Sequence, residues 1–186
     1  MKKFTIAVLA FFMMCSVSFA LDADEVKLPD VIKSGTSDLV LNGSGIRTKL
    51  FLDLYVGGLY LDQKSTDVEM LAKADKAMAI KLTITSRMIS GSKMASATND
   101  GFEKSTEGNT DPIQAEIAEM ISVLKEDIVV GDTFDFIYNP VEGTKIIKNG
   151  KVKATIKSVE FKKALFGIWL GSDPVQDDLK EGMSGV

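Results

Sequence analysis

The stretch from Leu39 to Leu61 constrains this chain more than any other. It is apolar, rich in β-forming residues and far longer than the ~5–6 residues of an ordinary strand. Gly43 and Gly45 punctuate it, as a bulge or a chain reversal would. From Leu50 onward both alternating sets are largely apolar: Leu50, Leu52, Leu54 and Val56 on one, Phe51, Tyr55, Leu59 and Leu61 on the other. A strand of that kind is covered on both faces and belongs inside a sheet. One permanent cation, Arg47, heads the run. Beside a two-sided core it needs a partner, either an internal acid or an anionic ligand.

The 186 residues are 45% hydrophobic, enough for one domain with a substantial core. The first twenty stand apart. Lys2 and Lys3 are basic, Phe4 to Met14 is a short apolar run, and Ser18-Phe-Ala20 is a small-x-small site. This is the pattern of a secretory signal peptide over 1–20, ahead of a domain over 21–186. The apolar run is short of the ~20 residues of a spanning helix, so no stable membrane anchor is expected after cleavage. The mature chain is expected to be periplasmic or secreted. The only cysteine, Cys15, lies in that leader, so no disulfide would support the core. Cleavage after Ala20 removes two lysines and no acid, taking the net charge from −4 to −6. An acidic chain without a basic stripe is a poor candidate for nucleic acid or anionic lipid.

The remaining elements follow in order. Val26 to Leu28 is expected as a short first strand ended by Pro29, and Ser34 to Ser37 as a turn. Ser65 or Thr66 would cap a helix over Asp67 to Ala74. Ala77 to Thr85 alternates like a strand with one buried face. Ser90 to Glu107 has helical spacing, and Asp111-Pro112 opens an amphipathic helix through Ile113, Ile117, Met120, Ile121 and Leu124. Thr133–Tyr138, Thr144–Lys148 and Lys151–Val159 read as strands, the last two joined by the hairpin signal Asn149-Gly150. Val159 to Leu170 is a helix stopped by Gly171, and Asp173 would cap a last helix from Pro174. This is α+β: an antiparallel sheet with helices on one face.

The chain has no histidine, which removes imidazole catalysis and most zinc sites. Without cysteine after the leader, thiol chemistry goes too; no metal site and no cofactor are implied. Asn42-Gly-Ser44 matches a glycosylation sequon by coincidence. Gly43-Ser-Gly45 precedes a strand, not the helix that a phosphate loop requires. Ser90-x-x-Lys93 lacks the companion motifs of penicillin-recognising enzymes and reads as a helix cap. Asp53 is expected to pair with Arg47 or a lysine, or to face solvent at an edge.

Asn42-Gly-Ser-Gly-Ile-Arg47, Tyr55-Val-Gly-Gly-Leu-Tyr-Leu61 and Leu165-Phe-Gly-Ile-Trp-Leu-Gly-Ser-Asp-Pro174 with a closing helix resemble, in order and spacing, the bacterial branch of the chalcone isomerase-like family. The resemblance implies an open-faced β-sandwich, a large antiparallel sheet backed by helices with an apolar cleft between them. The plant enzymes of that family close a flavanone ring by intramolecular addition of a phenolate to an enone. Of their site residues only the arginine survives, as Arg47. The threonine falls on Tyr55, the tyrosine near Ser90, the asparagine near Ala97 and the C-terminal hydroxyl on Ile168. The catalytic set is therefore missing, and no catalytic residue is expected. The pair Arg47 and Tyr55 resembles instead the fatty-acid-binding branch, in which a guanidinium and a phenol hold a carboxylate. Three functions follow: an exported carrier of a fatty acid or similar amphipathic carboxylate, an intramolecular lyase or isomerase, or a structural module without a ligand. In the first, Met78, Met88, Met94 and Met120 would line the cleft.

Overall fold

The long apolar stretch folds as one hairpin. A computed structural model describes residues 21–186; the leader reading falls on 1–20 and lies outside them. Ser37–Lys49 (β2) turns at Leu50-Phe51 into Leu52–Leu61 (β3). Val31–Ser34 (β1) flanks β2, and Met78–Ile84 (β4), Thr133–Asn139 (β5), Gly143–Lys148 (β6) and Lys151–Ile156 (β7) follow β3. All seven strands pair antiparallel, in chain order. The helices are Val68–Lys73 (α1), Gly91–Ser105 (α2), Gln114–Leu124 (α3), Val159–Leu170 (α4) and Asp177–Ser184 (α5). The expected α+β sandwich of sheet and helices is what forms.

Neither Gly43 nor Gly45 reverses the chain. The β2–β3 register shifts between Leu41 and Gly43, and Asn42 is the extra residue. Its buried amide donates to the carbonyls of Ser65 (3.0 Å) and Met183 (2.9 Å) and accepts from the Ser65 N–H (2.8 Å). The glycines serve close approach instead. A Cβ on Gly43 would lie 2.3 Å from the Gly182 carbonyl, so α5 packs straight onto the β2 backbone. The reversal falls at Leu50 (φ 51°) and Phe51 (φ 64°), both left-handed. That conformation costs a bulky residue ~1–2 kcal/mol. The two side chains are 82% and 101% exposed, contrary to the two-sided burial expected from Leu50 onward. Burial on both faces begins only at Tyr55.

The main core lies between the sheet and α1–α4. Leu59, Ile80, Leu82, Phe134 and Phe136 meet Phe102, Met120, Leu124, Phe161 and Leu165 there. Every residue of α4 from Ala164 to Leu170 is buried, and it lies against α2, where a Cβ on Gly101 would come within 2.8 Å of Ile168. A second cluster, Leu39, Tyr60, Ala79 and Ile137, lies on the opposite face. The sheet curls so that β1 reaches β5: the Ser34 hydroxyl donates to the Tyr138 carbonyl (3.0 Å). This corrects the reading of β4 as one-sided. Ala79 joins the second cluster, and Lys81 pairs with Asp135 at 2.8 Å.

Local signals at four element ends were overridden. The first strand starts at Val31, beyond Pro29, while Leu28 covers Gly58. The cap of α1 is Asp67, which accepts from the Met70 N–H (3.3 Å), rather than Ser65 or Thr66. The last helix begins at Asp177, not Pro174: Asp173 pairs with Lys104 (3.1 Å), and the side chain of Gln176 at the N-cap turns toward β2. The strand after Asn149-Gly150 stops at Ile156, because Ser158 already caps α4, accepting from the Phe161 N–H (3.0 Å).

Candidate functional site

Arg47 and Tyr55 sit directly opposite each other across β2 and β3, so their side chains share one face. A second register shift, between Arg47 and Thr48, bends β2 at that point; bulges commonly re-aim a side chain in this way. Both residues line a cavity of about 440 Å³ between this corner of the sheet, α2 and α4. Its remaining wall is largely apolar, from Leu52 and Leu54 through Ile89, Met94, Ala97 and Ile168 to Val175. The volume falls within the ~300–1,000 Å³ of small-molecule sites. Of the four methionines expected to line a cleft, Met88 and Met94 do so; Met78 and Met120 are buried in the main core.

The Arg47 guanidinium uses one nitrogen within the protein. Nη1 donates to the Thr48 carbonyl (2.7 Å) and to Gln176 Oε1 (2.9 Å). Gln176 is itself held, accepting from the Thr48 N–H (3.0 Å) and donating to the Ile46 carbonyl (3.3 Å). Both acceptors of Arg47 are neutral. Asp53 accepts from the Thr48 hydroxyl (3.0 Å) at the exposed edge, the solvent-facing alternative of those expected for it. Asp100 borders the cavity, yet among the described residues no carboxylate forms a salt bridge with Arg47. A guanidinium carries five N–H donors, and among the described residues only those on Nη1 find an acceptor.

Tyr55 is 6% exposed, and its oxygen accepts from Trp169 Nε1 (3.0 Å). Trp169 is fixed in turn by stacking on Phe136, with ring centroids 5.6 Å apart. Burial pushes the Tyr55 phenol up to about 12, against the opposing pull of the Trp169 hydrogen bond and the Arg47 charge. The hydroxyl therefore keeps its proton at neutral pH. It is a hydrogen-bond donor at the cavity wall, unsuited to act as a base.

Two residues of this arrangement were not singled out from the sequence. Trp169 reads as one more apolar residue on a buried helix, and only its N–H hints at a polar duty. Gln176 carries no local signal; it meets Arg47 across 129 positions of chain. Ser90 caps α2, accepting from the Lys93 N–H (3.4 Å), as the cap reading of Ser90-x-x-Lys93 requires. Ala97 and Ile168, where the resemblance puts an asparagine and a hydroxyl, do line the cavity, and both are apolar.

A family model described as chalcone isomerase-like matches residues 20–185. The chain belongs to the chalcone isomerase-like family. A comparison with curated protein sequences finds no match. Among solved structures, the crystal structure of a fatty-acid binding protein of Arabidopsis thaliana is similar over 84% of this chain and 90% of that one. The TM-score is 0.65 at 18% identity, a likeness of fold. The curled sheet backed by helices is thus the chalcone isomerase-like architecture, and the cavity lies between its two layers.

Proposed function

We propose that this protein is an exported, non-catalytic carrier of a fatty acid or a similar amphipathic carboxylate, working in the periplasm or outside the cell once residues 1–20 are removed. The supporting observation is the Arg47 guanidinium, bordering an apolar cavity with only neutral acceptors among the described residues. A carboxylate would meet its unused N–H groups as a fork, and the Tyr55 hydroxyl adds a further donor. The energies suit such a ligand. Roughly eight methylenes of decanoate would contribute about 6 kcal/mol on burial, and a charge-assisted hydrogen bond ~1.5–3 kcal/mol. The chain supplies affinity and the arginine supplies choice of headgroup. The similar Arabidopsis structure is titled a fatty-acid binding protein, which agrees with this reading. An isomerase reading lacks polar residues at Ala97 and Ile168 and has a phenol too weakly acidic to serve as base.

The test is titration with decanoate and with decanol, followed by the fluorescence of Trp169, the single tryptophan. Arg47→Ala is expected to weaken decanoate by about tenfold to a hundredfold and to leave decanol within about twofold. Equal loss for both would remove Arg47 from the site. Mass spectrometry of the purified protein should recover a bound acid, and that of the exported chain should find Leu21 at its N-terminus.

A further inference from the structure

Two of the tight hairpin turns, those joining β6 to β7 and β2 to β3, have nearly the same backbone and opposite chemistry. Asn149 and Gly150 (φ 50° and 73°) are the residues such a turn favours. Leu50 and Phe51 adopt the same left-handed pair (φ 51° and 64°) with two large apolar side chains turned outward. They are not alone at that end of the sheet. Leu52 is 47% and Met88 51% exposed, and Leu50, Leu52 and Met88 all border the cavity that Arg47 lines. Lys49 and Lys93 border it too, and Lys93 Nζ is tied to the rim through the Met88 carbonyl (3.1 Å). Two acids share this end, Asp100 on α2 and Asp53, the latter engaged by Thr48.

We propose that the Leu50-Phe51 tip, with Leu52 and Met88 beside it, docks into the surface of a phospholipid bilayer and seats the cavity mouth on the membrane. The apolar tip enters the acyl boundary while the Lys49 and Lys93 ammonium groups reach up to lipid phosphates, as long basic side chains do at such interfaces. Shape favours a fluid layer over a folded partner. The patch is a narrow projection of four side chains, whereas a stable protein interface needs ~20–30 residues a side. Among the described residues no helix is long and apolar enough to cross a bilayer, so the contact is peripheral. The expectation that an acidic chain avoids anionic lipid rests on net charge; this contact rests on the local pairing of apolar tip and lysines. Docking stands on the tip itself, and only its use for passing an amphiphile between bilayer and cavity rests on the function proposed above.

Flotation of the mature protein with vesicles of phosphatidylcholine and phosphatidylglycerol tests this. The protein should float with the vesicles, and Phe51→Gly should weaken partition at least about tenfold. Glycine adopts this turn without strain, so the loss would not come from unfolding, and Phe51 does not line the cavity. In Phe51→Trp, tryptophan emission should shift to the blue when vesicles are added. Three results would overturn the proposal: no flotation of the parent protein, equal flotation of Phe51→Gly, or a dimer that Phe51→Gly dissociates. Decanoate titration of Phe51→Gly is expected to match the parent. A failure of docking is therefore distinguishable from a failure of the ligand reading.

Discussion

Arg47 and Lys162 are both cations drawn into the body of the protein, and their surroundings differ in one decisive respect. Lys162, fully buried in α4, has each of its three ammonium hydrogens taken, by the carbonyls of Leu71 (2.9 Å), Ala72 (2.9 Å) and Ala74 (2.6 Å). Those carbonyls close the C-terminal end of α1, where unsatisfied acceptors and the negative end of the helix dipole favour a cation. The rings of Tyr138 and Phe166 flank it, each centroid 5.4 Å from Nζ. Arg47 uses one nitrogen of three among the described residues and lines the cavity. The depth of a buried charge therefore says little about function. Donor capacity left over beside a cavity is the informative sign, and only Arg47 of this pair has it.

The contrast would break most visibly at Lys162. Lys162→Ala leaves three helix-end carbonyls without their donor and opens space in the main core, and should cost about 3–5 kcal/mol in denaturant unfolding. Arg47→Ala should cost under about 1 kcal/mol. Similar losses in the two variants would erase the distinction. Gln176→Glu sharpens the other side. It sets a carboxylate where the neutral amide now accepts from Nη1 and the Thr48 N–H. Arg47 would then hold an internal anionic partner. Decanoate affinity should fall about tenfold or more while decanol affinity stays close to the parent's, and stability should drop by about 1 kcal/mol because a carboxylate oxygen cannot donate to the Ile46 carbonyl. Unchanged decanoate binding would mean that the acid does not meet Arg47.

This difference was half legible in the sequence. Arg47 stands in a β-rich apolar run, so its need for a partner shows locally; Tyr55 was joined to it only by the family resemblance, because the reversal that sets the two opposite each other was hidden. Lys162, beside Lys163 on a helix, carries no local sign of its role, because its acceptors come from residues about 90 positions earlier. The same rule sorts the fold. Asn149-Gly150, the Ser90 cap and the stripe of α3 depend on neighbours in sequence, and they form where expected. The reversal at Leu50-Phe51 was hidden because its side chains contradict its backbone. The second face of β4 was hidden because it depends on the curl that brings β1 to β5 and on Asp135, 54 positions from Lys81. Gln176, the residue that shapes the candidate site most, is likewise set by folding alone.

Titration also separates the pair. Burial, with Lys163 adding to it and Asp75 opposing, pushes the Lys162 ammonium down to about 8, whereas an unfolded lysine titrates near ~10.4. Between those values the unfolded chain binds more protons, so stability contributed by this group rises with pH and is lost as pH falls through about 8. Tyr55 acts in the opposite sense. Its phenol is pushed up to about 12, so above ~10 the folded chain holds the extra proton and stability falls as pH climbs further. Burial raises Tyr60 and Tyr138 in the same direction, the latter with Asp75 accepting from its hydroxyl. Denaturant midpoints should therefore rise from about pH 8 to a maximum near pH ~10 and then drop. Lys162→Met should flatten the rising limb and keep the fall, whereas Arg47→Ala should keep both. A rising limb that survives in Lys162→Met would show that the buried ammonium is not the group that titrates there.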